Sequence, residues 1–378
     1  MTESFSNEFN LDEDVIYLNH AAVAPWPVRA EKAVNAFCRE NVTIGSKKYA
    51  NWLKVEAHLK HQLAQLINAK SVDEIALVKN TSEALSFVAY GLEWAAGDTI
   101  VTSDEEFPSN IIPWESLESQ GVRVIKTHLK DAEDPTTELI KNIDSRTKLL
   151  TISSVQYASG LRVDLERLGE VCQQKGVLFC IDAIQSIGAF PVDVQKYQAD
   201  FMMADGHKWM LGPEGLGVFY CRQAAIDKLK LTQYGWHMVE DMGNYDVPEW
   251  TTATSARRFE CGSPNMLSIH ALSASISLLL EVGIDTVAKN VIERGHYVID
   301  KVQQNPSLTL LTKPDEEGNN IIVFKPSSND SDALFEYLTS HQVVCAKRGG
   351  GIRFSPHFYT PYDVIDRAFT LIDAFFKR

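Results

Sequence analysis

Between residues 75 and 221 the chain alternates short β-branched runs with helical patterns, and this alternation constrains the fold more than any other feature. The spacing predicts strands at Thr99–Ser103, Val122–Thr127, Lys148–Ser153, Val177–Asp182 and Phe201–Ala204. It predicts helices over 81–94, 110–119, 135–142 and 164–175 between them. Such alternation builds βαβ units, hence an α/β fold with a mostly parallel central sheet and helices on both faces. A further strand is expected at Leu216–Cys221, after a Gly-rich turn.

After residue 265 the pattern changes. Two long helical segments, Asn265–Glu281 and Asp285–Gln304, precede strands at Ser307–Leu311 and Asn320–Lys325. A helix at Asp330–His341, strands at Gln342–Ala346 and Gly351–Phe354 and a closing helix at Pro361–Phe376 complete it. Helices, then strands, then a helix read as a smaller C-terminal α+β domain. The expected division is 15–265 for the large domain and 266–378 for the small one, with residues 1–14 packing on or near the latter.

With 378 residues and 45% hydrophobic content the chain has ample material for a core of its own. The net charge of −14 repels phosphate backbones, so no nucleic-acid partner is expected. The acidic first 20 residues lack the apolar stretch of a signal peptide. The uncharged run Cys261–Leu280 carries several serines and a histidine, and reads as a buried helix, not a membrane span. None of the six cysteines forms a C-x-x-C pair, which suits a reducing cytoplasm, and no metal-ligand set is apparent.

Open α/β sheets bind ligands beyond the carboxyl ends of their strands. Asp182 ends an otherwise apolar run, where a carboxylate is costly to desolvate unless it meets a cation or donors. Lys208 stands at the end of the next expected strand, flanked by His207 and Trp209. A plain Asp–Lys ion pair is one reading of these two. Thr81-Ser82 opens a helix, and there reads either as an N-cap or as a phosphate seat. A phosphate seat, a carboxylate and a lysine together are what pyridoxal 5'-phosphate requires.

Longer segments carry a resemblance. Tyr17-Leu18-Asn19-His20-Ala21-Ala22, Asn80-Thr81-Ser82-Glu83-Ala84 and Phe107-Pro108-Ser109-Asn110 are followed by Asp182-Ala183-Ile184-Gln185-Ser186. Then come Asp205-Gly206-His207-Lys208-Trp209, Gly212-Pro213-Glu214-Gly215-Leu216-Gly217 and Arg258-Phe259-Glu260-Cys261-Gly262-Ser263-Pro264-Asn265. Over nearly its whole length the chain resembles the fold-type I pyridoxal-phosphate enzymes of the class V aminotransferase group. That group includes cysteine desulfurases, selenocysteine lyases, kynureninases and isopenicillin-N-epimerase-like proteins.

The resemblance implies roles. Lys208 matches the Schiff-base lysine and Asp182 the partner of the pyridinium nitrogen. Thr81, Ser82 and His207 match phosphate contacts. Gln156 and Gln185 match contacts to the ring oxygen, and Phe107 matches the residue that stacks on the ring. Ser263 matches a position that reaches the phosphate of a neighbouring subunit, which implies a homodimer with shared active sites. Arg353 matches the arginine for the substrate carboxylate, with Arg348 as a second candidate. His20 reads either as a substrate-facing residue or as a structural histidine. The implied activity is that of an aminotransferase or lyase on an amino acid. Epimerase and desulfurase or selenocysteine lyase chemistry are the alternatives.

Three departures bear on substrate. Desulfurases carry a histidine where Phe107 stands, a cysteine in the loop that Lys347–Arg353 replaces, and often a phosphate-binding serine where Asp205 stands. No cofactor role follows for Asp205. Trp236 and His237 read as packing or interface residues, or as lining the entrance from a partner chain. Two rivals remain: a nicotinamide dehydrogenase, for which the chain lacks an early G-x-G-x-x-G, and a decayed binding protein, which would have lost Lys208 or Asp182.

Overall fold

The computed structural model describes residues 3–378 apart from 247, 316 and 329. The chain opens with a short strand β1 (Ile16–Tyr17) and two long helices, α1 (Val28–Ile44) and α2 (Tyr49–Leu66). The α/β region then runs β2 (Ile75–Val78), α3 (Thr81–Gly91), β3 (Thr99–Ser103), α4 (Ile112–Glu115), β4 (Arg123–Thr127), α5 (Pro135–Lys141), β5 (Thr147–Ser153), α6 (Leu165–Lys175), β6 (Leu178–Asp182), β7 (Phe201–Asp205), β8 (Gly217–Cys221) and α7 (Gln223–Ile226). Strands β2 to β8 form one sheet in the order β2-β8-β7-β6-β5-β3-β4, in which β8 alone runs antiparallel to its neighbours. Strands β6 and β8 are buried along their whole length, as expected of strands covered on both faces.

The second part comprises α8 (Met266–Val282), α9 (Ile284–Gln304), β9 (Leu308–Leu310), β10 (Ile322–Pro326), α10 (Ser331–Ser340), β11 (Val343–Val344), β12 (Ala346–Arg348), β13 (Gly351–Phe354) and α11 (Tyr362–Phe376). Here β12-β13-β10-β9 form an antiparallel sheet, and β1 pairs in parallel with β11. Ile16 and Leu18 therefore sit in the core of this smaller unit, with Val298, Phe324, Phe354 and Phe369. Phe9 stacks on Tyr359, which ties the preceding segment to the same unit; residues 1 and 2 lie outside the described residues. No single helix among the described residues is long and apolar enough to cross a membrane.

Several elements differ from the sequence expectation for physical reasons. α8 begins where the small domain was expected, yet its Met266, Ile269, Leu272 and Ile276 lie in the core of the large sheet. The expected helix 110–119 breaks into a four-residue helix between two 3₁₀ turns; Pro113 lacks the N–H that a helix continuing from residues 108–110 would need. The expected strand Gln342–Ala346 divides at Cys345, its first half pairing with β1 and its second with β13. α1 had no expected counterpart, and only Ala30 of its residues is buried.

One buried polar cluster clamps the large unit together. Lys60 of α2 lies 2.8 Å from Glu260 and 3.6 Å from Glu56, and Glu260 also accepts a 2.7 Å bond from the Leu77 N–H of β2. His237 lies between the same carboxylates, 3.5 Å from Glu260 and 3.9 Å from Glu56. Removing the ammonium group leaves two buried carboxylates short of a cation. Lys60→Met should therefore cost about 3–5 kcal/mol in urea unfolding. A loss below about 1 kcal/mol, the range of an exposed pair, contradicts that account.

Candidate active site

The carboxyl ends of β2, β3, β5, β6 and β7 point to one edge of the sheet, and the expected site residues follow those ends in turn. Register fixes their order, with Ser153 of β5 opposite Asp182 of β6 and Asp182 opposite Met203 of β7. Lys208 lies in the turn after β7. That turn is held by bonds from Leu211 N–H to the Lys208 carbonyl (3.0 Å) and from Gly212 N–H to the Gly206 carbonyl (2.8 Å). Trp209 beside it is fully buried in the core that joins the two units, with Leu211, Leu278 and Phe358. The lysine thus stands at the junction of the two units.

Asp182 is buried and accepts a 3.0 Å bond from the Ile184 N–H. Burial pushes its pKa up, and the nearby Glu106 carboxyl adds to this. Burial pushes the Lys208 pKa down, against the attraction of Asp182. The two groups act on each other through charge, and among the described residues no direct ion pair joins them. The plain ion-pair reading is therefore not what the geometry shows. Phe107 leaves its ring 44% exposed, 5.8 Å from the Lys208 amine, with its edge against Tyr157.

The start of α3 separates the cap from the candidate phosphate seat. Asn80 is the N-cap, its side chain accepting a 2.9 Å bond from the Glu83 N–H. The Thr81 hydroxyl is thereby released from capping, and it is buried with no partner. Ser82 bonds Ser109 at 2.9 Å. His207 Nδ1 is likewise buried and unpartnered, and burial followed by the Lys208 charge lowers its pKa to about 4, so the ring is neutral near pH 7. Gln156 Oε1 and Arg353 Nε are also buried without partners. Buried polar atoms are rarely left unsatisfied, so this group marks a place for a polar ligand.

The sequence pattern of the family described as Aminotransferase class-V matches residues 16–357. The chain belongs to that family. Among its relatives, a cysteine desulfurase of Salmonella dublin is 31% identical over 87% of this chain and 82% of its own length. A probable cysteine desulfurase of Methanothermobacter thermautotrophicus is 29% identical over 96% and 95%. Among solved structures, the cysteine desulfurase CsdA of Escherichia coli superposes with a TM-score of 0.88 at 21% identity, covering 99% of this chain and 98% of that one. The cystine C-S lyase C-DES, in complex with cysteine persulfide, gives 0.86 at 20% identity over 95% and 97%. These two likenesses establish the shared fold.

Within this class V aminotransferase framework the remaining expected residues divide. Arg353 of β13 is buried, bonding the Tyr157 carbonyl at 2.7 Å and Asn19 at 3.4 Å, and burial lowers its pKa to about 10. It stays protonated near pH 7 without a carboxylate of its own. Arg348 is exposed and bonds the Lys347 carbonyl at 2.9 Å. Gln185 is fixed by the Ala21 carbonyl (3.1 Å) and by Trp209 Nε1 (2.8 Å), which leaves one amide N–H for a ligand. His20 has both ring nitrogens engaged, on the Ser355 carbonyl (2.8 Å) and the Tyr359 hydroxyl (2.7 Å), so no nitrogen faces a substrate. Ser263 is exposed on a cavity of about 420 Å³ lined by Lys79, Glu83, Gln233 and Cys261, apart from Lys208 and Asp182.

Glu106 was missed by sequence reasoning. It is fully buried, and its carboxyl accepts from the Ser153 N–H (2.7 Å), the Ser153 hydroxyl (2.5 Å), Asn110 (2.8 Å) and Gln156 Nε2 (2.6 Å). By holding Nε2 it fixes which way the Gln156 amide faces. Its signal was a carboxylate immediately before the ring-stacking candidate Phe107.

The desulfurase-type cysteine has no counterpart in this loop. β12 and β13 form a tight hairpin through Gly349 and Gly350, both in the left-handed region. A Cβ at Gly349 would come within 2.4 Å of the Ala158 carbonyl. Cys345 is buried, which pushes its thiol up to about 12 and holds it un-ionised.

Proposed function

We propose that this chain is a pyridoxal-phosphate enzyme that removes the α-proton of an amino acid, as an aminotransferase or a lyase. The observation that carries the reading is Lys208, a desolvated amine set beside the buried Asp182 at the edge where Thr81 and His207 leave buried polar atoms unpartnered. The donor set fits the cofactor: Thr81, Ser82 and His207 for its phosphate, Phe107 for its ring face, Gln156 and Gln185 for its ring oxygen, and Asp182 for its ring nitrogen. When bound, pyridoxal phosphate supplies an electron sink for charge developing at the substrate α-carbon.

The chain's own residues account for the rest. Arg353 binds the substrate carboxylate and orients the α-carbon toward Lys208. Desolvation favours the neutral Lys208 amine, which is the form that takes a proton from that carbon. Asp182, costly to bury as a lone anion, is satisfied by a cation opposite it. These steps are common to transamination, β-elimination and epimerisation.

The named relatives favour a second, narrower reading, in which the substrate bears sulfur. The buried Cys345 and the short Gly349–Gly350 hairpin then support direct release of the sulfur-containing group, without transfer to a thiol on this loop. A product screen scoring pyruvate, alanine, sulfide, keto acid and inverted amino acid separates these outcomes. Pyruvate with sulfide supports a sulfur-bearing substrate with direct release, alanine with persulfide on the protein contradicts direct release, and keto acid or inverted amino acid without sulfide contradicts the narrower reading.

Ser263 fits a homodimer in which it serves the phosphate seat of the other protomer. Tyr234, Trp236, Tyr245 and Trp250 expose a broad aromatic surface in the preceding segment, which supports that assembly. The six free cysteines support a cytoplasmic setting.

Binding of the cofactor is directly measurable. At about 100 times its Kd, pyridoxal phosphate should stabilise the protein by about 2.7 kcal/mol in chemical unfolding, through mass action on the folded state. Unchanged stability under saturating conditions contradicts the proposal.

A further inference from the structure

We propose that Asp205 makes the seat for the cofactor's phosphate conditional on a proton held between its carboxyl group and that phosphate. The inference rests on the pyridoxal-phosphate reading and concerns how firmly the chain keeps the cofactor.

Asp205 ends β7 opposite Gly217 of β8, beside the start of α3. Its Oδ1 is buried with no partner, and a Cβ at Gly217 would lie 3.1 Å from that oxygen, so the strand pair leaves room for the carboxyl and little more. The Thr81 backbone N–H acts on the carboxyl and favours its charged form, and that amide belongs to the helix end where a phosphate would sit. His207 Nδ1 lies 3.8 Å from Oδ2, too far for a hydrogen bond. Among the described residues Thr81 Oγ1 and His207 Nδ1 have no protein partner, and Thr81 is 3% exposed. The Asp205 carboxyl thus lies between two residues with buried, unpartnered polar atoms, Thr81 at the start of α3 and His207 in the turn after β7.

The groups that act on Asp205 come from four places: the start of α3, which brings the Thr81 N–H; the turn after β7, which brings His207 and Lys208; the end of β6, which brings Asp182; and the loop before β8, which brings Glu214. Burial outweighs the Lys208 attraction and raises the Asp205 pKa to about 6, while His207 is neutral near pH 7. A phosphate dianion adds a further negative charge to the same seat and raises the carboxyl again. Near neutral pH, binding therefore takes up a proton at Asp205, which then donates to a phosphate oxygen. The sign follows: between the pKa of the carboxyl in the free protein and its higher pKa with phosphate bound, affinity falls by about tenfold per pH unit through this group.

The test uses cofactor-stripped protein titrated with pyridoxal phosphate and read by absorbance, for the wild type and for D205N, whose amide keeps the shape and donates at every pH. The ratio of wild-type to D205N Kd should widen by at least about tenfold between about pH 6 and about pH 8.5. Calorimetry in buffers of different ionisation enthalpy should show the wild type taking up about one proton more than D205N near pH 7.5. If D205N fails to fold, D205S is titrated in its place. A pH-independent ratio with equal proton counts overturns the inference while leaving the cofactor reading intact. Absence of binding by wild type and variant at every pH overturns both.

Discussion

Lys208→Ala should give a folded protein that no longer links covalently to pyridoxal phosphate and is about 10⁴-fold slower in kcat. The side chain is dispensable for the fold. Its turn is held by backbone bonds from Leu211 and Gly212, and its amine forms no direct ion pair with Asp182. Burial opposes the charge on Lys208, so alanine removes an amine the folded state holds at a cost. In the proposed function the chemistry depends on that amine, as the neutral base for the α-carbon. Matched circular dichroism and single-turnover rates check both halves. A variant that keeps more than about a tenth of the activity removes Lys208 from its assigned role.

Arg353→Ala should raise KM for α-amino acids by about 10²-fold, equivalent to roughly 3 kcal/mol for two charge-assisted hydrogen bonds. Arg353 is anchored by the Tyr157 carbonyl and Asn19, and its Nε has no protein partner. A buried cation without a carboxylate is poised for one carried by substrate. Lysine at 353 should restore little, since an ammonium group lacks the planar two-pronged donor set. An amine without a carboxylate should show the same KM on wild type and variant. Loss on that amine as large as on amino acids would point to a folding defect instead of a carboxylate contact.

Much of this was legible in the sequence, and the reasons are local. Asp182 at the end of a wholly apolar run and Lys208 at the next strand end placed both on the carboxyl edge of a parallel sheet. The class V resemblance then assigned their partners. The sequence could not tell Thr81 from an ordinary cap, because the distinction depends on Asn80 taking the capping bond. Nor could it show that His20 is sealed, since Ser355 and Tyr359 reach it from the far end of the chain. Glu106 was missed for the same reason, because its four donors come from α4's approach and from β5 and the loop after it. α8 looked like the start of a new domain from its change of pattern. Only the packing of Ile269 and Leu272 shows that its apolar face belongs to the large sheet.

The most direct test of the central claim is borohydride treatment of the wild-type protein saturated with pyridoxal phosphate, followed by peptide mass analysis. The account predicts that the cofactor's mass becomes fixed to the peptide containing Lys208 and is absent from the Lys208→Ala variant. Reduction that fixes nothing, or that marks a different lysine equally in both proteins, contradicts it.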